Sequence, residues 1–458
     1  MTGDVVRLVL LNALFCAGGA GLMVTVRIAP TRRDVLSRLP LAYMIGLASF
    51  GMLGATLELI SVPLGLIEVG VLAGACVGGG VLALLSSANG DLSTYVPAKG
   101  SRAAWILAAV LLLVSLVLIA RAGHAWVVRP LREYDGWAIW GLKARALFEF
   151  GGVDESVFAN PVYDAPTHPL LLPSLEAMGF RAMGGFDGTV IHLQLAGLLL
   201  GFVGAAWVIL RAVASPVAVA ATLLAVLSAP AVLAQLGTNF ADIPLALFMA
   251  LAVAAAAAWL RRRESWLLTT GTIFLAAAAL TKSDGMLFAV CAVVALALVA
   301  GKRAPVRLVL AAGALALAIL PWRIYVSAHD LRHPDYELSN LFDRSYLGDT
   351  SYRVRPVVDE LLLQLTNLDA WGLLPLIFGI GLAAALLRGM YGVALFAVCW
   401  LVTSFAGLVA IYWITVRTLE HNLFNTSNRV VASMLLGAAL LAPILAAEPD
   451  PGLEREPQ

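Results

Sequence analysis

Runs of about 17–25 apolar residues, each long enough to cross a hydrocarbon layer, decide what this chain can fold into. They recur near residues 5–27, 40–60, 63–87, 103–121, 189–211, 215–235, 241–260, 266–281, 286–301, 306–323, 370–387, 391–413 and 428–447. Backbone in lipid has to satisfy its own hydrogen bonds, and a helix does so within one segment. The expected fold is therefore all-α, a polytopic membrane protein with about thirteen transmembrane helices. With 61% hydrophobic and 13% charged residues, too little polar surface remains for a water-soluble domain. Cys16, Cys76, Cys291 and Cys399 lie inside apolar runs without CxxC spacing, which indicates neither a zinc site nor a disulfide framework. A net charge of +1 supplies no basic field for nucleic acid, so partners are expected in the bilayer. The opening "MTGDVV" puts no basic segment ahead of the first run, and that run reads as a retained helix.

Basic residues separate the two sides. Arg32, Arg33 and Arg38, then Lys99 and Arg102, Arg211, Arg261 to Arg263, Lys302, Arg303 and Arg307, and Arg388 fall in alternate short connections. The positive-inside rule places these in the cytoplasm, together with a tail over 448–458. The outer connections are then 61–62, 122–188, 236–240, 282–285, 324–369 and 414–427. They hold His124, His168, His329, His333 and His421, with His192 just inside a helix mouth, and also Asp135, Asp154, Asp164, Lys282, Asp284, Asp330, Asp335 and Arg417. Ionisable groups thus gather on one face. A transporter would place them near the midplane, on broken helices of repeated halves, and no such repeat is visible.

The densest of these segments is "REYDGWAIWGLKARALFEFGG", Arg132 to Gly152. Trp137, Trp140, Ala144 and Leu147 follow a spacing of three, four and three, which puts them on one helical face. Two tryptophans on such a face suit an interfacial helix in the headgroup layer, with Asp135 at its start.

The order of an apolar helix, an outer-loop Asp, an interfacial helix ending in "FEFGG" and then "YDAPTHPLLLPSLEA" resembles the integral-membrane glycosyltransferases of the GT-C superfamily. Within it, the likeness is to the family 39 group of protein O-mannosyltransferases and lipid A aminoarabinose transferases. "NFADIPLALFMALAVA" and "LTKSDGMLFAV" are similar to the helix start and the "LTKG" turn of that group. Two departures stand out: Tyr134-Asp135 replaces the group's Asp-Glu pair, and Thr167-His168-Pro169 replaces "KPP". The resemblance implies a GT-C-like catalytic module over 103–447, with outer loops 122–188 and 324–369. Residues 1–102 form N-terminal membrane helices without a clear counterpart.

The implied reaction moves a sugar from a polyprenyl-phosphate donor to an acceptor hydroxyl of an envelope glycan, glycolipid or secreted protein, with inversion. It would take place at the extracytoplasmic face of the plasma membrane, without a metal or other cofactor. Such chemistry needs a base near the acceptor and cations near the leaving phosphate. The resemblance makes Asp135 the base; by itself an Asp at a helix start is equally a cap. It assigns Lys282 to the phosphate, against a salt bridge to Asp242 or Asp284, and Arg417, His421 and Arg429 likewise, against headgroup snorkelling. His168 is a further acid/base candidate or a cap, and Asp242 either orders the site or caps its helix. Asp330, His333 and Asp335 could ligate a metal by residue type alone. Lys143 and Arg145 are expected at the headgroups, and Glu58 and Glu68 beside an outer turn. Two other classes fit the same composition: a transporter or flippase of lipid-linked sugars, and a catalytically silent membrane subunit.

Overall fold

The computed structural model describes residues 2–86, 97–98, 100–160, 165–300, 304–333 and 335–448. Asp164, Lys99, Lys302, Arg303 and the tail beyond Glu448 lie outside them. Among the described residues the regular elements are helices: α1 (Thr2–Thr25), α2 (Arg32–Leu57), α3 (Leu66–Ser86), α4 (Arg102–Val127), α5 (Gly141–Phe150), α6 (Glu155–Phe158), α7 (Leu171–Met183), α8 (Gly188–Arg211), α9 (Pro216–Ser228), α10 (Pro230–Leu236) and α11 (Asp242–Arg262). It continues with α12 (Ser265–Thr281), α13 (Ser283–Ala300), α14 (Pro305–Ala328), α15 (Arg344–Asp349), α16 (Val354–Leu365), α17 (Leu368–Trp371), α18 (Leu374–Leu387), α19 (Tyr391–Trp413), α20 (Leu419–Val430) and α21 (Ala432–Ala446). Helix ends follow local chemistry. Thr31, Ser101, Asp187 and Ser215 accept backbone N–H groups at the starts of α2, α4, α8 and α9, as N-caps do. Gly151 and Gly184, at φ 73° and 81°, end α5 and α7.

Among the described residues ten helices are long and apolar enough to cross a bilayer, with α20 and α21 together forming one of them, Leu419–Ala446. The multi-pass membrane class follows from these helices. The expected count of about thirteen is not reached by length. The run at 215–235 breaks at Ala229-Pro230 into α9 and α10, bent by 59°, because Pro230 cannot continue the hydrogen-bond ladder. The runs at 266–281 and 370–387 give helices of 17 and 14 residues, short of a bilayer at 1.5 Å per residue.

At the centre stands α11, 94% buried over its apolar window and packed by α8, α12, α13, α19 and α21. Its "AVAAAAAW" segment has side chains small enough for neighbouring backbones to approach closely. α1 packs against both α2 and α3, and α2 joins them to the rest through α7, α8 and α12. A buried ion pair also ties α2 to α7: Arg181 reaches Glu58 at 2.7 Å and donates to the Leu64 carbonyl. Glu58 is therefore buried, whereas Glu68 accepts the Gly65 N–H near the surface.

The expected shared face of Trp137 and Trp140 is corrected. Residues Asp135–Trp140 form a π-helical turn that leads into α5, and the wider turn rotates Trp137 off the face it would share in an α-helix. Trp137 is 53% exposed, but Trp140 is 2% exposed and, with Ala144 and Leu147, faces the protein interior. The tryptophans do not act together as a headgroup anchor.

Candidate active site

Six segments meet at one end of the bundle. The π-turn contributes Asp135, Ile139 and Trp140, and the turn before α7 contributes Ala165 and His168. Phe240 and Asp242 begin α11, and Lys282 and Asp284 form the α12–α13 turn. His333, Asp335 and Tyr336 come from the connection after α14, and Leu408 to Val430 from the end of α19 and from α20. Together they line a cavity of about 580 Å³. All seven residues singled out from sequence, Asp135, His168, Asp242, Lys282, Arg417, His421 and Arg429, line it. Asp154 and Asp330 do not.

Charges in the cavity interlock. Arg429 donates to Asp135 at 2.6 Å and stands 3.9 Å from Asp242, with its guanidinium over the Phe240 ring. Lys282 reaches Asp242 at 2.7 Å and Asp284 at 3.1 Å. Burial opposes the Lys282 charge, but these two carboxylates outweigh it and raise its pKa. Arg417 pairs with Asp335 at 2.9 Å. Neither Asp135 nor Asp242 caps its helix through the side chain; both carboxylates face cations. Arg429 is 8% exposed, which is incompatible with snorkelling.

His168 does not cap α7 either. Its ring stacks on Trp140 at 5.2 Å, its Nδ1 lies 2.9 Å from Ser283 Oγ, and the His333 ring meets its edge at 5.4 Å. Burial, with the positive charges of Lys282, Lys143 and Arg429 nearby, holds the His168 pKa well below the usual imidazole range. Burial likewise pushes His333 down to about 4, although Asp284 opposes it. Both rings are neutral at pH 7.

Lys143 is corrected: it lies in the interior, not at the headgroups. It donates to the carbonyls of Ala165 at 2.8 Å and His168 at 2.9 Å, and burial lowers its pKa to about 7. On α5 it faces inward with Ala144 and Leu147, whereas Arg145 is exposed beside Glu149. Lys143 thus clamps the turn that carries His168, where Ala165 adopts φ 56°.

Sequence reasoning missed the polar wall of α20. Asn422, Asn425, Thr426 and Arg429 stand at offsets of zero, three, four and seven on one face and line the cavity, a spacing legible in "NLFNTSNR". It also missed a latch. Tyr336 pairs with Thr415 in an isolated bridge, Val416 N–H and Thr415 Oγ1 both donate to the Asp335 carbonyl, and Arg353 and Tyr346 donate to the Thr415 carbonyl. No residue type announces such backbone contacts. Among the described residues, no three His, Cys, Asp or Glu side chains are grouped to hold a metal ion; Asp335 is held by Arg417.

Set against protein-family models, curated proteins and solved structures, the chain finds no match.

Proposed function

We propose that the chain is an inverting glycosyltransferase that moves a sugar from a polyprenyl-phosphate donor to an acceptor hydroxyl, on an envelope glycan, a glycolipid or a secreted protein. The reading takes the cavity face to be extracytoplasmic and the reaction to need no metal. One observation carries it: Asp135 and the cations Lys282, Arg417 and Arg429, drawn from three distant parts of the chain, line one cavity at the end of a membrane bundle.

In this reading Asp135 takes the acceptor's hydroxyl proton as that oxygen forms its bond to the anomeric carbon. The bond from that carbon to the phosphate oxygen breaks, and the electron pair leaves with the phosphate. Lys282, Arg417, His421 and Arg429 hold the phosphate and stabilise its growing charge. Arg429 now rests on Asp135, so an incoming phosphate would draw the guanidinium away and leave the carboxylate for the acceptor. Asp242 orders Lys282 and Arg429, and His168 lines the acceptor side beside Trp140.

The test is a comparison of wild type and Asp135→Asn in purified form. Each is offered polyprenyl-phosphate-linked sugars, and transfer and donor binding are measured separately. Asn keeps the size of Asp but cannot take the proton, so turnover should drop by about 10²-fold or more with donor binding retained. Near-normal turnover by Asp135→Asn sinks the base assignment. Donor binding without transfer by wild type, coupled to movement of the donor across vesicles, would make the chain a flippase, and no binding at all a silent subunit.

A further inference from the structure

One buried carboxyl has no part in that scheme. Glu176 on α7 is 1% exposed, and neither of its oxygens has a hydrogen-bond partner. A carboxylate left so in a dry interior carries a heavy desolvation penalty, which the protonated acid avoids while gaining a donor. The polar side chain facing it is Asn239, fully buried at φ 60° just ahead of α11. Asn239 Nδ2 donates to the Gly136 carbonyl at 3.4 Å, while its Oδ1 has no partner. That carbonyl also accepts the Gly141 N–H, the bond that closes the π-turn. Gly136 follows Asp135 and lies against the Thr238 carbonyl so closely that a Cβ would collide with it. Asn239 lies within reach of the Glu176 carboxyl, and a carboxyl that carries a proton is complementary to the partnerless Asn239 Oδ1.

We propose that Glu176 is a positioning residue kept as the neutral acid: its O–H donates to Asn239 Oδ1, which aims the amide N–H at Gly136 and fixes the turn bearing Asp135 against Arg429. Burial outweighs the opposing pull of Asn239 and raises the Glu176 carboxyl to about 8, in keeping with a neutral acid at pH 7. The ionisable groups on helices packed against α7 are engaged elsewhere. Glu58 after α2 holds Arg181 of α7 itself, Lys143 of α5 holds two carbonyls, and Lys282 after α12 holds Asp242 and Asp284. Asp34 and Arg38 of α2 pair with each other, and Glu68 of α3 takes the Gly65 N–H. Neither these nor Asp4 and Arg7 of α1, Arg145 and Glu149 of α5, or His192 of α8 act on Glu176. The consequence for transfer rests on Asp135 acting as the base.

Two measurements on the purified full-length protein test the proposal without sugar transfer, so failure of the base assignment leaves them standing. In infrared spectra at pH 7, wild type should show the carbonyl stretch of a protonated carboxylic acid that Glu176→Gln lacks; identical spectra in that region overturn the proposal. In hydrogen–deuterium exchange, Glu176→Gln, which keeps an N–H donor at the same reach, should leave residues 133–140 as protected as in wild type. Glu176→Asp and Asn239→Ala should raise exchange there by about tenfold or more, with α12 and α13 unchanged. Unchanged exchange at 133–140 in both, or an equal rise throughout the protein, overturns it. Should Glu176→Asp fail to accumulate, the infrared comparison with Glu176→Gln decides.

Discussion

Among the described residues, each lysine and arginine that lines the cavity already holds a carboxylate, so the proposed anionic donor would have to bind by exchanging partners and not by filling a vacant charge. The pairs differ in burial, and their variants should differ accordingly. Lys282→Met leaves Asp242 and Asp284 without their nearest cation, and breaking so buried a pair should cost about 3–5 kcal/mol of stability. Arg417 and Asp335 are about one third exposed, so Arg417→Ala should cost no more than about 1 kcal/mol while still weakening donor binding. Thermal melts beside donor titrations separate the two; equal destabilisation by both would refute the burial argument. His333 gives a pH prediction. Its folded pKa, about 4, lies below the unfolded value of about 6.5. Its contribution is therefore fully present above about pH 6.5 and is lost as pH falls toward 4. The melting temperature of wild type should decline between pH 6.5 and pH 4, and His333→Gln should decline less; parallel curves would assign the loss to other groups.

At the scale of elements, the π-turn decides what each tryptophan does. Trp140 lies under His168 in the interior, so Trp140→Ala should destabilise by about 3–5 kcal/mol. Trp137→Ala, at an exposed position, should fall within about 0.5 kcal/mol of wild type. Chemical denaturation of the two variants measures this, and similar losses would restore the picture of a paired anchor. The same turn marks where sequence reading stops. Asp135, Lys282 and Arg429 were legible because a charge in an apolar chain needs a reason. The long apolar runs were legible because length and hydropathy alone define them. The π-turn was not, since a spacing of three, four and three reads as α-helix and nothing in "DGWAIW" signals an extra residue per turn. Lys143 was misplaced for the same reason, as only packing shows that it turns inward. Glu176 gave no signal in "LLLPSLEAMGF", where one acid among apolar residues reads as an amphipathic helix. The latch between Tyr336 and Thr415 is backbone chemistry, which side-chain pattern does not encode.

At the scale of the molecule, the placement of the cavity at one end of the bundle makes sidedness measurable. Cysteines introduced at Arg129 and Tyr352, in a background lacking the native four, should react with a membrane-impermeant thiol reagent in intact cells. One introduced at Arg263, at the far end of the helix that Asp242 begins, should react only after the membrane is opened. The reverse pattern would turn the site toward the cytoplasm and remove the proposed donor face. A different consequence follows from the contact between Asp135 and Arg429, which lie 294 residues apart. At about 5–20 residues per second of synthesis, Asp135 waits on the order of 15–60 s for its counterion to leave the ribosome. By the end of that interval the nascent chain holds nearly all its helices and the carboxylates Asp135, Asp242 and Asp284, and the helical segment Leu419–Ala446 then supplies the guanidinium. Premature termination ahead of α20 therefore yields a product in which Lys282 still pairs with Asp242 but Asp135 lacks the guanidinium that holds it in the finished protein.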